Sequence, residues 1–141
     1  MILPDLTATQ ALAARLASLA RPGDALLLSG PLGAGKSALA RAFLRALTGD
    51  PALEVPSPSY TLVQSYTLPG GGQAHHFDLY RLDGPADLQE LGWEDARADI
   101  VLVEWPERLG GLTPPRALHV ALRPIDEDAR DVTLHGWEGR L

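Results

Sequence analysis

The sequence predicts an α/β domain of three layers, with helices on both faces of a mixed sheet that has a parallel core, an antiparallel hairpin and antiparallel edge strands. Three observations carry this. Gly30-Pro31-Leu32-Gly33-Ala34-Gly35-Lys36-Ser37 reads G-x-x-x-x-G-K-S between a short apolar run at 24–29 and an amphipathic stretch at 37–47, the strand, loop and helix of a phosphate-binding loop. Residues 99–104 form a near-continuous apolar run ending in an acid, as expected of a parallel strand buried on both faces. Stretches 59–68 and 73–80 flank Pro69-Gly70-Gly71-Gly72 and read as a hairpin. The expectation is a P-loop NTPase-like domain, and 141 residues make one unit, 1–141, without room for a separate substrate domain.

Taken in order, Thr7-Ala8-Thr9-Gln10 resembles a capping box, with Thr7 or Thr9 closing a helix start, and Leu12, Leu16 and Leu19 recur on one face to about Ala20. Arg21-Pro22-Gly23 turns the chain into the first core strand. After the phosphate loop, Leu39, Phe43 and Leu47 make an apolar stripe, while Arg41 and Arg45 share a face that reads as solvated. Gly49 stops this helix, and 51–58 is a proline-broken loop. Period-2 alternation in the second hairpin strand puts His75, Phe77 and Leu79 on one face and His76, Asp78 and Tyr80 on the other. The two histidines therefore cannot easily share a metal and read as ordinary strand residues. Asp83-Gly84-Pro85 opens a short helix that ends at Gly92, and a helical turn follows around 93–98. Beyond Thr113-Pro114-Pro115, alternation at Leu118, Val120 and Leu122 and again at Val132 and Leu134 predicts two edge-like antiparallel strands.

Composition narrows the function. Hydrophobic residues at 45% and charged residues at 21% belong to a globular chain, and the start Met1-Ile2-Leu3-Pro4-Asp5 lacks the features of a signal peptide. A cytoplasmic protein without membrane segments is expected. Zero Cys excludes thiolate metal sites and disulfides and makes Mg²⁺ the natural metal. A net charge of −6 argues against direct wrapping of nucleic acid, whose binding depends on Lys and Arg neutralising phosphates. Any RNA would be held by a partner.

The chemistry gathers on the phosphate loop. Its glycines let the backbone curl around an anion while amides of the following helix point at it. Lys36, the one lysine among twelve cationic side chains, would reach the terminal phosphates, and the Ser37 hydroxyl would ligate Mg²⁺. Glu104 ends a second parallel strand, where it would hold the metal opposite Ser37 or orient the attacking water; the alternative is a solvent-exposed terminal acid. Asp78 would meet the metal shell or that water, or else pair with Arg81 at the surface. Ser57, Ser59 and Thr61 offer hydroxyls either to a γ-phosphate-sensing switch or to simple turn chemistry. With no Asn and a single Lys, the chain cannot build the Asn-Lys-x-Asp loop of guanine recognition, so ATP is the expected nucleotide.

Ser57-Pro58-Ser59-Tyr60-Thr61-Leu62-Val63, His76-Phe77-Asp78-Leu79-Tyr80-Arg81-Leu82 and Val103-Glu104-Trp105-Pro106-Glu107, in this order after the phosphate loop, resemble the TsaE (YjeE) family. That family is the small bacterial ATPase component of the machinery that makes threonylcarbamoyladenosine in tRNA. The resemblance covers most of 30–106 and implies a P-loop ATPase that turns over slowly alone and works by docking on a TsaD–TsaB pair. It also implies a chain that is monomeric when free and touches tRNA only through the complex. Carried over by position, Leu32, Gly33, Ala34, Gly35, Lys36, Ser37 and Ala38 bind the nucleotide, Ser37 and Glu104 match Mg²⁺ ligands, and Lys36, Asp78 and Glu104 are catalytic. Ser57, Ser59 and Thr61 look like the switch, Thr9 like an adenine contact, and Trp105 like a residue of the site or of the partner surface. The chain departs from the family pattern with Pro31 for Asp, Ser37 and Ser59 for Thr, and Gln64 for an acid. A nucleotide-gated interaction module and a small-molecule kinase are the competing classes.

Overall fold

Four parallel strands at the centre of one sheet bring the phosphate loop and both acids to the same end. The computed structural model describes residues 1–141. Its elements are β1 (Ile2–Leu3), α1 (Leu6–Leu19), β2 (Ala25–Ser29), α2 (Lys36–Thr48), β3 (Val63–Thr67), β4 (Gln73–Asp78), α3 (Pro85–Glu90), α4 (Trp93–Ala96), β5 (Ile100–Glu104), a 3₁₀ segment (Pro106–Leu112), β6 (Ala117–Pro124) and β7 (Arg130–His135). The strand order is β1-β7-β6-β2-β5-β4-β3. Strands β4, β5, β2 and β6 run parallel, while β3 on one side and β7 and β1 on the other are antiparallel.

Alternation along the core strands divides their side chains between two apolar layers. Leu26 and Leu28 of β2 and Leu102 of β5 face α1 and α2, meeting Leu12, Leu16, Leu39 and Phe43. Leu27, Val101 and Val103 face the opposite way, against Leu88, Trp93 and Leu109. On that second face Phe77 meets Trp93 edge-on, with ring centroids 5.1 Å apart. These are the expected three layers. No helix is long and apolar enough to cross a membrane.

The chain closes through a buried carboxylate. Asp24, at the start of β2, is fully buried and accepts two hydrogen bonds from Arg140, at 2.6 and 3.0 Å, and one from the Arg21 amide at 2.6 Å. Burial opposes ionisation of Asp24, but these bonds and the charges of Arg140 and Arg116 outweigh it and hold its pKa below the ordinary aspartate value.

Several details depart from the sequence expectation. The cap of α1 is Asp5, whose carboxylate accepts from the Ala8 amide at 2.9 Å, so Thr9 lies inside the helix. Asp caps as well as Thr, and Leu6 tolerates the first helical position. The first hairpin strand starts at Val63 because Leu62 adopts a left-handed φ of 69° and its amide turns back to the Pro58 carbonyl. Strand β4 ends at Asp78. Strand β6 is not an edge: it lies between β2 and β7 and pairs in parallel with β2. Its alternation reflects one open face, with His119, Ala121 and Arg123 exposed. Strand β1, two residues long, is too short for any period to reveal.

Candidate nucleotide site

The loop between β2 and α2 is shaped by backbone that only glycine adopts readily. Gly30, Gly33 and Gly35 have φ of 142°, 80° and 97°, and a side chain on Gly30 would run into the Leu122 carbonyl. Gly35 caps α2 without any side-chain hydrogen bond, which leaves the first-turn amides of the helix for an anion. Lys36 is buried, and its ammonium donates to the Gly30 carbonyl across the loop. The same ammonium lies 3.9 Å from the centroid of the Trp105 ring.

Strand register brings the acids to this loop. Asp78 and Glu104 are direct neighbours across β4 and β5, and Leu28, the residue before Ser29, pairs with Glu104 on the other side. Both acids follow the alternation of Leu102 and His76 onto the α2 face of the sheet, and both are buried. Asp78 accepts from the Ser59 hydroxyl at 3.2 Å and the Tyr80 amide at 3.0 Å, and Ser59 is bonded to Ser57 at 2.7 Å. The surface alternative for Asp78 is therefore wrong: Arg81 instead stacks on Tyr60, 4.6 Å from its ring centroid. Glu104 is likewise no solvent-exposed terminus, since the His76 Nε2 meets its Oε2 at 2.7 Å. A carboxylate only accepts, so this nitrogen carries the hydrogen.

Trp105 then turns the chain over the site. It holds a left-handed backbone, φ 60° and ψ 53°, unusual for a bulky residue, and stacks at 4.9 Å on Tyr80. The result is a cleft of about 320 Å³ lined by Leu32, Gly33, Gly35, Lys36, Ser37, Ser57, Ser59, Asp78, Glu104, Trp105 and Arg130. Hydroxyl and carboxylate oxygens, two cationic side chains and free helix amides converge there, the groups that suit a polyphosphate and a hard cation.

The family model for the threonylcarbamoyl adenosine biosynthesis protein TsaE matches residues 3–132. The chain belongs to the TsaE family. It is 36% identical to the tRNA threonylcarbamoyladenosine biosynthesis protein TsaE of Rickettsia felis, over 92% of this chain and 75% of that protein. The TsaE of Bacillus subtilis is 32% identical, over 89% of this chain and 77% of its own length. Among solved structures, YdiB of Bacillus subtilis superposes with a TM-score of 0.76 at 26% identity, covering 99% of this chain and 86% of that one. The P-loop fold and the TsaE resemblance read from the sequence are both borne out.

Within this TsaE-family chain the structure gathers most of the predicted residues into one cleft and leaves others outside it. Ala34 is fully buried beneath the loop, with its side chain in the helical core. Thr61 is exposed, takes a hydrogen bond from Gln64 at 3.1 Å and does not line the cleft. Thr9 and Ala38 border a second cleft of about 140 Å³, which meets the first at Gly35 and Arg130. Sequence reasoning missed two residues. His76 shares a strand face with Asp78, a spacing that could have marked it, whereas nothing local singled out Arg130.

Proposed function

We propose that this chain binds ATP with Mg²⁺ on the phosphate loop and hydrolyses it slowly, in support of threonylcarbamoyladenosine formation in tRNA by a TsaD–TsaB pair. The observation that carries the reading is the convergence of Lys36, Ser37, Asp78 and Glu104 in one cleft at the carboxyl ends of parallel strands. The donors suit Mg²⁺. It is held by one or two carboxylates together with phosphates and water, so the lack of a cluster of three or more His, Asp or Glu fits it better than a caged metal. Ser37 and Glu104 would hold the ion, which when bound neutralises charge on the phosphates.

Each side chain then has a task. Lys36 exchanges its bond to the Gly30 carbonyl for phosphate oxygens, and the free amides of α2 hold the same group. Glu104, oriented by His76, orients the attacking water, while Asp78, held by the Ser59 hydroxyl and the Tyr80 amide, helps to fix that water or accepts its proton. Trp105 roofs the site and limits bulk water. Ser57 and Ser59, joined to Asp78 by hydrogen bonds, would report the γ-phosphate to the surface loop that carries Tyr60. The net charge of −6 agrees with tRNA being held by the partners.

A tRNA-modification assay with limiting chain and a TsaD–TsaB pair, followed over many turnovers, tests this role. Glu104→Ala should support the first round and then stall. Sustained synthesis by that variant would assign the function to nucleotide-gated binding instead of hydrolysis.

A further inference from the structure

We infer that His119 and His135, opposed on the open face of the β6–β7 pair, form a chelating site for a divalent transition cation such as Zn²⁺, Ni²⁺ or Cu²⁺. Neither residue lines the main cleft or the smaller one beside it, and the inference does not rest on the ATP reading.

The four histidines of the chain divide into two kinds. His75 and His76 each commit a ring nitrogen to a carboxylate, Asp99 at 2.8 Å and Glu104 at 2.7 Å. His119 and His135 are exposed and take part in no ion pair or side-chain hydrogen bond; each ring has the other as its aromatic neighbour. Antiparallel register sets the two residues directly opposite one another, on the sheet face that also carries the exposed Ala121, Arg123 and Thr133. Their ring centroids lie 6.2 Å apart, with the planes inclined at 46°. Two imidazoles that share one cation, each through a nitrogen at about 2.1 Å, have ring centres roughly 4.5 to 6.5 Å apart, from adjacent to opposite coordination positions. The pair therefore reaches chelating geometry by side-chain rotation alone.

Electrostatics favour the same use. Protonated, two directly opposed imidazolium groups repel each other across the strands. Neutral, each ring offers one unprotonated nitrogen, the form that binds a metal.

Donor type selects the cation. Imidazole nitrogen suits Zn²⁺, Ni²⁺ and Cu²⁺, whereas Mg²⁺ takes oxygen. Further along the same face Asp131 is already held by Arg123 at 2.8 Å and by the amino terminus at 3.5 Å, so it adds no ligand. No group of three or more His, Asp or Glu completes the shell, so water fills the remaining positions. A cation so bound ties β7 to β6 and stabilises the folded chain, because unfolding separates its two ligands.

The test is calorimetric titration of the tag-free chain with NiCl₂, in phosphate-free buffer with excess Mg²⁺ and no nucleotide. Wild type is compared with His119→Gln, His135→Gln and His75→Gln. Wild type and His75→Gln should bind one ion, and each of the other two variants should lose at least about tenfold in affinity, since one of two anchoring bonds is gone. Both replaced side chains are exposed, so His119→Gln and His135→Gln should melt like wild type without metal. NiCl₂ should then raise the melting temperature of wild type and leave these two unchanged. Full affinity retained in either variant would overturn the chelate, because a single imidazole would then suffice. Absence of binding to wild type at millimolar NiCl₂ would overturn it as well, and so would loss of binding in His75→Gln.

Discussion

His76, two residues before the end of β4, and Glu104, the last residue of the parallel neighbour β5, form a buried pair, Nε2 to Oε2 at 2.7 Å. The other ring nitrogen of His76 is buried without a partner, so the imidazole makes one hydrogen bond, and that bond fixes the carboxylate. An acid so oriented presents its second oxygen in a defined direction, which is what positioning a water or a metal demands.

Replacing His76 by Ala should therefore slow ATP hydrolysis by about tenfold or more while leaving ATP affinity within a few-fold of wild type. It should also cost about 2 kcal/mol of stability, because a buried carboxylate loses its donor. His76→Gln, which keeps an N–H near the same place, should recover part of the rate. Separate determination of kcat and of Kd checks this, and equal loss of both would contradict it.

Lys36→Ala should lose ATP affinity by at least tenfold with the fold retained. The ammonium contacts only the Gly30 carbonyl and the Trp105 ring, and α2 is capped through backbone alone. Calorimetry together with a melting curve separates loss of binding from loss of structure.

The contact of Lys36 with Trp105 gives a built-in reporter. Binding of phosphate draws the ammonium off the indole face and should change tryptophan emission, although Trp93 and Trp137 also fluoresce. In Trp105→Phe the ATP-dependent change should vanish while the chain stays folded. A change of undiminished size in that variant would show that the signal arises at Trp93 or Trp137 and would contradict the Trp105 reporter.

Asp24 predicts how stability depends on pH. Its pKa in the folded chain lies below the ordinary value of about 3.9, so its contribution is complete above that value and is lost as the pH falls through the lower folded one. Arg140 stays charged throughout. The melting temperature should therefore fall more steeply below about pH 4 in wild type than in Asp24→Asn. Arg140→Ala should destabilise by about 3 kcal/mol, since it strips the fully buried carboxylate of two hydrogen bonds.

What could be read from the sequence follows the range of the interactions. The phosphate loop, its strand and its helix are local, set by glycine spacing and apolar periodicity within a short stretch, and they stand where expected. Glu104 and Asp78 were legible because each ends an alternating or apolar strand. Their meeting was not, because the register of β4 against β5 is a contact between distant segments. The same holds for Arg130, which reaches Gly35 from the start of β7 near the other end of the chain, and for β6, whose parallel partner no local pattern reveals. Asp5 and Thr9 show another kind of failure: two good capping residues four positions apart, between which propensity alone does not choose.

The most direct test of the account is steady-state phosphate release from Mg-ATP by the purified chain, alone and with a TsaD–TsaB pair. Slow release alone, clear stimulation by the pair and loss of both in Glu104→Ala are the predicted result. Rates that ignore the pair would contradict a partner-driven ATPase, and release that survives Glu104→Ala would contradict the assignment of this cleft as its catalytic centre.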